Sequence, residues 1–161
     1  MVQWNAGMPA GLGRLSLQHS ARTAVAAVVS FVVARQLGLP EAYWATVTTL
    51  VVMQSTLGAA LTPSWQRFVG TALGAVAGAL AGTYAGPNLV VFGAAIFTMG
   101  LICGALRLDR SAYRFAGITL AIVTLVPRTR PAWVIASHRF VEVSVGIAVG
   151  LLLSAVWPDR S

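Results

Sequence analysis

Lysine is missing altogether from this chain of 161 residues, acidic residues number only four, and charged side chains make up just 9% of the total. Soluble domains carry about a quarter charged residues, so the ordinary water-facing shell is absent. Hydrophobic residues reach 57%, more than a domain this small can hide from its own large surface. The bilayer is therefore the expected solvent. The net charge of +7 comes from eleven arginines set against Glu41, Asp109, Glu142 and Asp159. These arginines are scattered through apolar sequence rather than clustered on a soluble fold, which argues against nucleic acid as a partner. Histidines number two and cysteines one, so no cluster with metal-ligand spacing can be assembled, and neither a phosphate loop nor a serine beside a base is present. No cofactor, no metal and no enzymatic activity are expected. Cys103 has no partner for an intrachain disulfide and sits in an apolar segment as a small packing residue. Residues 1–17 lack the basic start, apolar centre and small-residue cleavage site of a secretory signal, and are read as a short lead-in.

What is present is a series of apolar runs punctuated by Pro, Gly and Arg. A helix needs about 20 residues to cross roughly 30 Å of hydrocarbon, and six runs approach that length, near 19–37, 42–60, 65–85, 88–106, 111–127 and 132–157. Strand-like alternation is lacking. The expected fold is an all-α membrane protein of six transmembrane helices occupying residues 18–158. Pro40 in "LGLPEAYW" opens the second run, Pro63 in "LTPSWQ" the third, and "AGPN" divides the third from the fourth. Trp44, Trp65, Trp133 and Trp157 fall near segment ends, the headgroup level that amphipathic rings prefer. Seven arginines (14, 22, 67, 107, 110, 114 and 160) lie toward the side of both termini and four (35, 128, 130 and 139) toward the other. That bias places both termini in the cytoplasm.

Shifted by 72 positions, "RFV" at 67–69 falls on "RFV" at 139–141, Gly74 and Gly78 fall on Gly146 and Gly150, Gly82 on Ser154, and Arg35 on Arg107. With a shift of 71, "WATVT" at 44–48 resembles "FAGIT" at 115–119. Three crossings per copy put the copies in opposite orientation, so the expected architecture is an inverted 3+3 repeat of about 18–86 and 88–158. Gly70, Gly74, Gly78 and Gly82 recur every four residues, which bares one helix side for close approach of another backbone. With Gly146 and Gly150 they are read as helix-packing positions, lining of a pathway being the other reading.

The intramembrane charges are the candidates for function. Arg22 and Arg35 are thirteen residues apart, about 20 Å of helix against a core of about 30 Å, so Arg22 either snorkels or faces a watery cavity. Arg139 lies six residues past Trp133, and Glu142, three residues on, shares its helix face. The two can form a structural ion pair, or they can be a working site, since ionisable groups at membrane depth mark ion and substrate pathways. Glu142 is a candidate for proton coupling, and so is His138 beside it, although an interfacial or packing histidine is the plainer reading.

The stretches "ARTAVAAVVSFVVARQLGLPEAYWATVTTLVVMQ", "WQRFVGTALGAVAGALAG" and "HRFVEVSVGIAVGLLLSAVWP" resemble the fusaric acid resistance and aromatic acid exporter family over about residues 18–158. Its most specific parts are Arg22, the "LGLP" link with Pro40, Tyr43 and Trp44, the start Arg67–Gly70–Thr71–Gly74, and Arg139–Glu142–Gly146. The resemblance implies a six-helix unit of a bacterial inner membrane that exports organic anions, with Arg22, Arg67 and Arg139 attracting the carboxylate and Tyr43 or Trp44 touching an aromatic ring. Members of that family typically add a soluble domain and often a second six-helix half, which this sequence does not contain, so pairing of two chains into a dimer is expected. A passive organic-anion channel, and a membrane scaffold or partner subunit that transports nothing, are the alternatives.

Overall fold

A computed structural model describes the backbone of residues 10–53, 57–127 and 129–157, with side chains from Leu17 onward. Arg14, Arg128 and Arg160, used above for orientation, have side chains outside this set. The described residues form six helices and no strand: α1 Ala10–Gln36, α2 Tyr43–Val52, α3 Leu57–Tyr84, α4 Leu89–Ala105, α5 Arg110–Leu125 and α6 Ala132–Val156. Among the described residues two stretches are long and apolar enough to cross a membrane, Leu17–Gln36 and Ala132–Val156.

The helix ends follow from local chemistry. Gly38 takes φ +72° after α1, and the amide of Leu39 bonds the carbonyl of Ala34 at 3.1 Å, the glycine-terminated closure that satisfies last-turn carbonyls. Asn88 caps α4 by accepting from the amides of Val90 and Val91. Arg107 ends α4 at φ 53° with Leu108 bonded back to Cys103. Arg35, by contrast, lies within the last turn of α1, so the Arg35–Arg107 correspondence is not kept in local structure.

Three expected boundaries are corrected. α1 reaches back to Ala10, into the segment read as a lead-in. α2 stops at Val52, eight residues before the expected end, and its ten residues cover about 15 Å. α3 begins at Leu57 and carries Pro63 inside it. A proline there lacks an amide and presses on the carbonyl four residues back, yet the helix continues. Ser64 Oγ donates to the carbonyl of Ala60 at 2.7 Å, tying down the turn beside the proline as hydroxyls do in membrane helices.

Glycine decides the packing. A Cβ at Gly70 or Gly74 would strike the carbonyl oxygens of Ala112 or Ala116, and one at Gly78 would meet Val123. α3 and α5 therefore run in the same direction in near backbone contact. A Cβ at Gly146 would strike the carbonyl oxygen of Ala45, Gly150 sits against Val52, and Ser154 Oγ donates to Met53 Sδ, so α2 and α6 run together in the same way. α3 and α6 cross between these pairs, with the rings of Phe68 and Phe140 5.1 Å apart and Ala75 and Ala136 in one apolar cluster. Gly82 is half-buried on α3. α4 is peripheral: Met99 and Cys103 are its buried side chains, and Cys103 packs with Met99 and Ala116.

Candidate functional site

Where α1 turns into α2 and α5 turns into α6, a cavity of about 210 Å³ is lined by Glu41, Arg130, His138, Arg139 and Glu142 with an apolar wall that includes Ile122 and Ile135. The connecting prolines Pro40 and Pro127 border it. Their fixed φ and missing amide suit a link between helices.

Arg139 and Glu142 are 2% and 0% exposed. Three residues apart on α6, they share one face, and Arg139 Nη1 lies 3.5 Å from Glu142 Oε2. The guanidinium rests 3.7 Å above the centre of the Trp44 ring, a cation–π contact strengthened by exclusion of water. Glu142 Oε1 accepts the backbone amide of Glu41 at 3.1 Å. Trp44 Nε1 donates to Glu41 Oε2 at 3.0 Å. A loop of contacts thus runs from Glu41 to Glu142, Arg139, Trp44 and back to Glu41. A guanidinium offers five donors, and among the described residues Glu142 alone accepts from Arg139, at long range, while Nε is buried without a partner. The cavity wall is therefore a cation with unused donors.

Arg67, 5% exposed, stands within electrostatic reach of Arg139. Its Nε donates to Thr48 Oγ1 at 3.0 Å, and its guanidinium lies 4.7 Å from the centre of the Phe115 ring. Among the described residues no carboxylate pairs with it. Glu142 thus pairs with one of the two buried guanidiniums, that of Arg139, and not with that of Arg67.

Arg22 is placed elsewhere. It is fully buried, but its Nη1 donates to the carbonyl of Trp157 at 2.9 Å and its Nη2 lies 3.4 Å from His19 Nδ1. Trp157, which follows the last residue of α6, is eighteen residues beyond Arg139, about 27 Å of helix, so Arg22 does not share a ligand with Arg139 in this conformation. It caps the end of α6, where a cation meets the negative end of the helix dipole. Tyr43 is half exposed, and its ring lies 5.5 Å from that of Trp44. His138 reaches the cavity, and the small-residue stripes of α3 and α6 pack helices rather than line it.

Sequence reasoning passed over three contributors. Glu41 enters the site through its main-chain amide, which no side-chain pattern reports. Thr48 and Phe115 embrace Arg67, and the matching of "WATVT" to "FAGIT" was the available signal, since both residues lie inside it.

A family model described as fusaric acid resistance protein-like matches residues 17–153. Among curated proteins, the inner membrane protein YeeA of Escherichia coli is 31% identical over 150 residues, covering 89% of this chain and 41% of YeeA. Proteins named uncharacterized transporter YdhK from Escherichia coli and Salmonella typhimurium are likewise 31% identical, over 156 and 154 residues, with 89% of this chain and 23% and 22% of theirs covered. The chain thus spans less than half the length of these relatives. No solved structure gives a significant match.

Proposed function

Because the chain belongs to the fusaric acid resistance protein-like family, we propose that it is a six-helix, inner-membrane transport unit for organic anions, aromatic carboxylates in particular. Relatives named as an inner membrane protein and as transporters support the general class. The single observation that carries the anion reading is the local charge balance: Arg67 and Arg139 are both buried within electrostatic reach of each other, and Glu142, which pairs with Arg139, is the one buried carboxylate among the described residues. Charges at membrane depth are costly and are kept where they serve a pathway. A surplus guanidinium, planar and permanently charged, matches a carboxylate ligand. The cavity of 210 Å³ is about seven times the ~30 Å³ share of one water and smaller than the ~300–1,000 Å³ of drug-sized sites. It suits a small acid carrying one ring, with Arg139, itself stacked on Trp44, at its wall.

The two helix pairs support an inverted 3+3 repeat. Gly74 against Ala116 corresponds to Gly146 against Ala45, and Gly78 against Val123 to Gly150 against Val52, under the same shifts of 72 and 71. A helix as short as α2 is sheltered in such a plan, because unwound or truncated backbone at depth is tolerated where protein surrounds it.

The test is flux of benzoate and of acetate from liposomes holding the purified protein, compared with empty vesicles and with Arg67→Gln. We expect benzoate flux above empty vesicles and a drop of about tenfold or more in the variant, the scale of losing a charge-assisted contact. Equal flux through wild type and empty vesicles, with folded protein in the bilayer, overturns the reading in favour of a scaffold or partner subunit. Glu142 and His138 line the cavity together with Glu41, Arg130 and Arg139. Glu142→Gln flattens the pH dependence of flux if transport is proton-coupled, and leaves it unchanged in a passive channel.

A further inference from the structure

The two buried arginines sit in matching frames. Arg67 on α3 corresponds to Arg139 on α6 by the shift of 72, and Phe115 on α5 to Trp44 on α2 by the shift of 71. Each arginine stacks on the aromatic residue of the corresponding helix pair, at 4.7 Å and 3.7 Å from the ring centre. Phe68 and Phe140, counterparts of each other, touch, as residues astride a two-fold axis must.

The frames are not in the same state. Arg67 Nε is bonded to Thr48 Oγ1, whereas Arg139 Nε is buried without a partner, and Thr119, the counterpart of Thr48, is buried on α5. Gln66 bridges to Asp109 at 2.6 Å across the opposite end of the bundle, whereas its counterpart His138 lines the cavity. One end is fastened by two bonds; at the hollow end the counterpart of the Arg67–Thr48 bond is not made, and Gly38, the counterpart of Asp109, offers His138 no side chain to bridge to. The carboxylates are also uneven: Glu142 and Glu41 stand beside Arg139, but Gly70 and Ala112 occupy the corresponding positions beside Arg67.

Resting on the anion-transport reading, we propose that the chain holds a second carboxylate site, centred on Arg67, which opens when the two halves exchange conformations. In that state Arg139 Nε donates to Thr119, Arg67 leaves Thr48, the Gln66–Asp109 bridge parts, and a monocarboxylate meets Arg67 from the opposite end. No resident acid pairs with Arg67 among the described residues, so this site takes the anion as its sole counter-ion, while at Arg139 the ligand shares the cation with Glu142. The unequal partners make the Arg67 site the tighter of the two.

The exchange is read by thiol labelling in detergent, where both ends are accessible. With the single native cysteine removed by Cys103→Ser, reporters are placed by His138→Cys at the hollow end and by Ala112→Cys, whose parent residue is 1% exposed here, at the fastened end. Thr48→Val, which cuts the Arg67 bond, is expected to speed Ala112→Cys labelling about tenfold, as loss of a hydrogen bond to a charged group allows, and to slow His138→Cys labelling. Gln66→Leu, cutting the other bond at that end, is the second variant and acts in the same direction. Thr119→Val acts oppositely. Reporters that do not respond, or that speed up together, overturn the proposal, since uniform gain means loosening rather than exchange. Reciprocal labelling in a protein that passes no carboxylate keeps the two states and removes the transport reading. Carboxylate flux without reciprocal labelling does the reverse.

Discussion

Arg139 and Glu142 hold each other in a place where neither is tolerated alone. Arg139→Ala leaves Glu142 buried without its cation, and breaking a buried pair from one side costs about 3–5 kcal/mol. Arg139→Ala should therefore lower the unfolding midpoint in detergent sharply, and adding Glu142→Gln should restore part of it, because the orphaned charge is gone. Full additivity of the two substitutions would show that the 3.5 Å contact carries no coupling. Arg67 behaves differently. Lacking a carboxylate partner among the described residues, it can become Gln without stranding an acid, so Arg67→Gln should cost little stability while removing the surplus charge. This contrast makes Arg67 the cleaner probe of function. Arg22 shows what residue spacing alone cannot supply. The sequence gives its place along α1 but not its depth relative to α6, and the structure sets it at the carbonyl of Trp157, away from the other two arginines.

Among the helices, α3 and α6 are central because their glycines let α5 and α2 approach to backbone contact. In lipid no hydrophobic force drives helices together, so this close fit does the holding. Gly74→Ala and Gly146→Ala each thrust a methyl into a carbonyl oxygen, of Ala116 and Ala45 respectively, and should destabilise the fold by roughly 1–3 kcal/mol. Gly93→Ala and Gly104→Ala, with nothing within 4 Å, should be neutral or slightly stabilising, since alanine favours a helix by up to about 1 kcal/mol. A thermal shift series over these four variants checks the contrast. The central helices were legible in the sequence for this reason: a ladder of glycines at spacing four is a packing statement. The end of α2 at Val52 was not. Only Gln54, Ser55 and Thr56 interrupt the apolar sequence before "LGAALT", and Pro63 reads as a helix opening because the pattern does not reveal Ser64 securing the turn beside it. The site was half legible. Arg139 and Glu142 stood out as charges at membrane depth and Trp44 as an aromatic residue at a segment end, whereas Glu41 acts through a backbone amide and Thr48 through a single hydroxyl.

The whole molecule presents apolar residues outward, Val25, Val28, Phe31 and Val32 on α1 and Val90, Phe97 and Leu101 on α4 among them, while its polar groups converge within the bundle. In water such a surface would aggregate; in a bilayer it is the solvated face. Charge is thereby concentrated where the matched helix pairs meet, and the account rests on that concentration being net positive. The most direct test is equilibrium binding of benzoate and of its uncharged counterpart benzamide to the purified protein, measured calorimetrically for wild type and for Arg67→Gln. The account predicts saturable benzoate binding, no comparable heat with benzamide, and affinity for benzoate reduced about tenfold or more in Arg67→Gln. Equal binding of the charged and uncharged ligands, or benzoate affinity indifferent to Arg67, would contradict it.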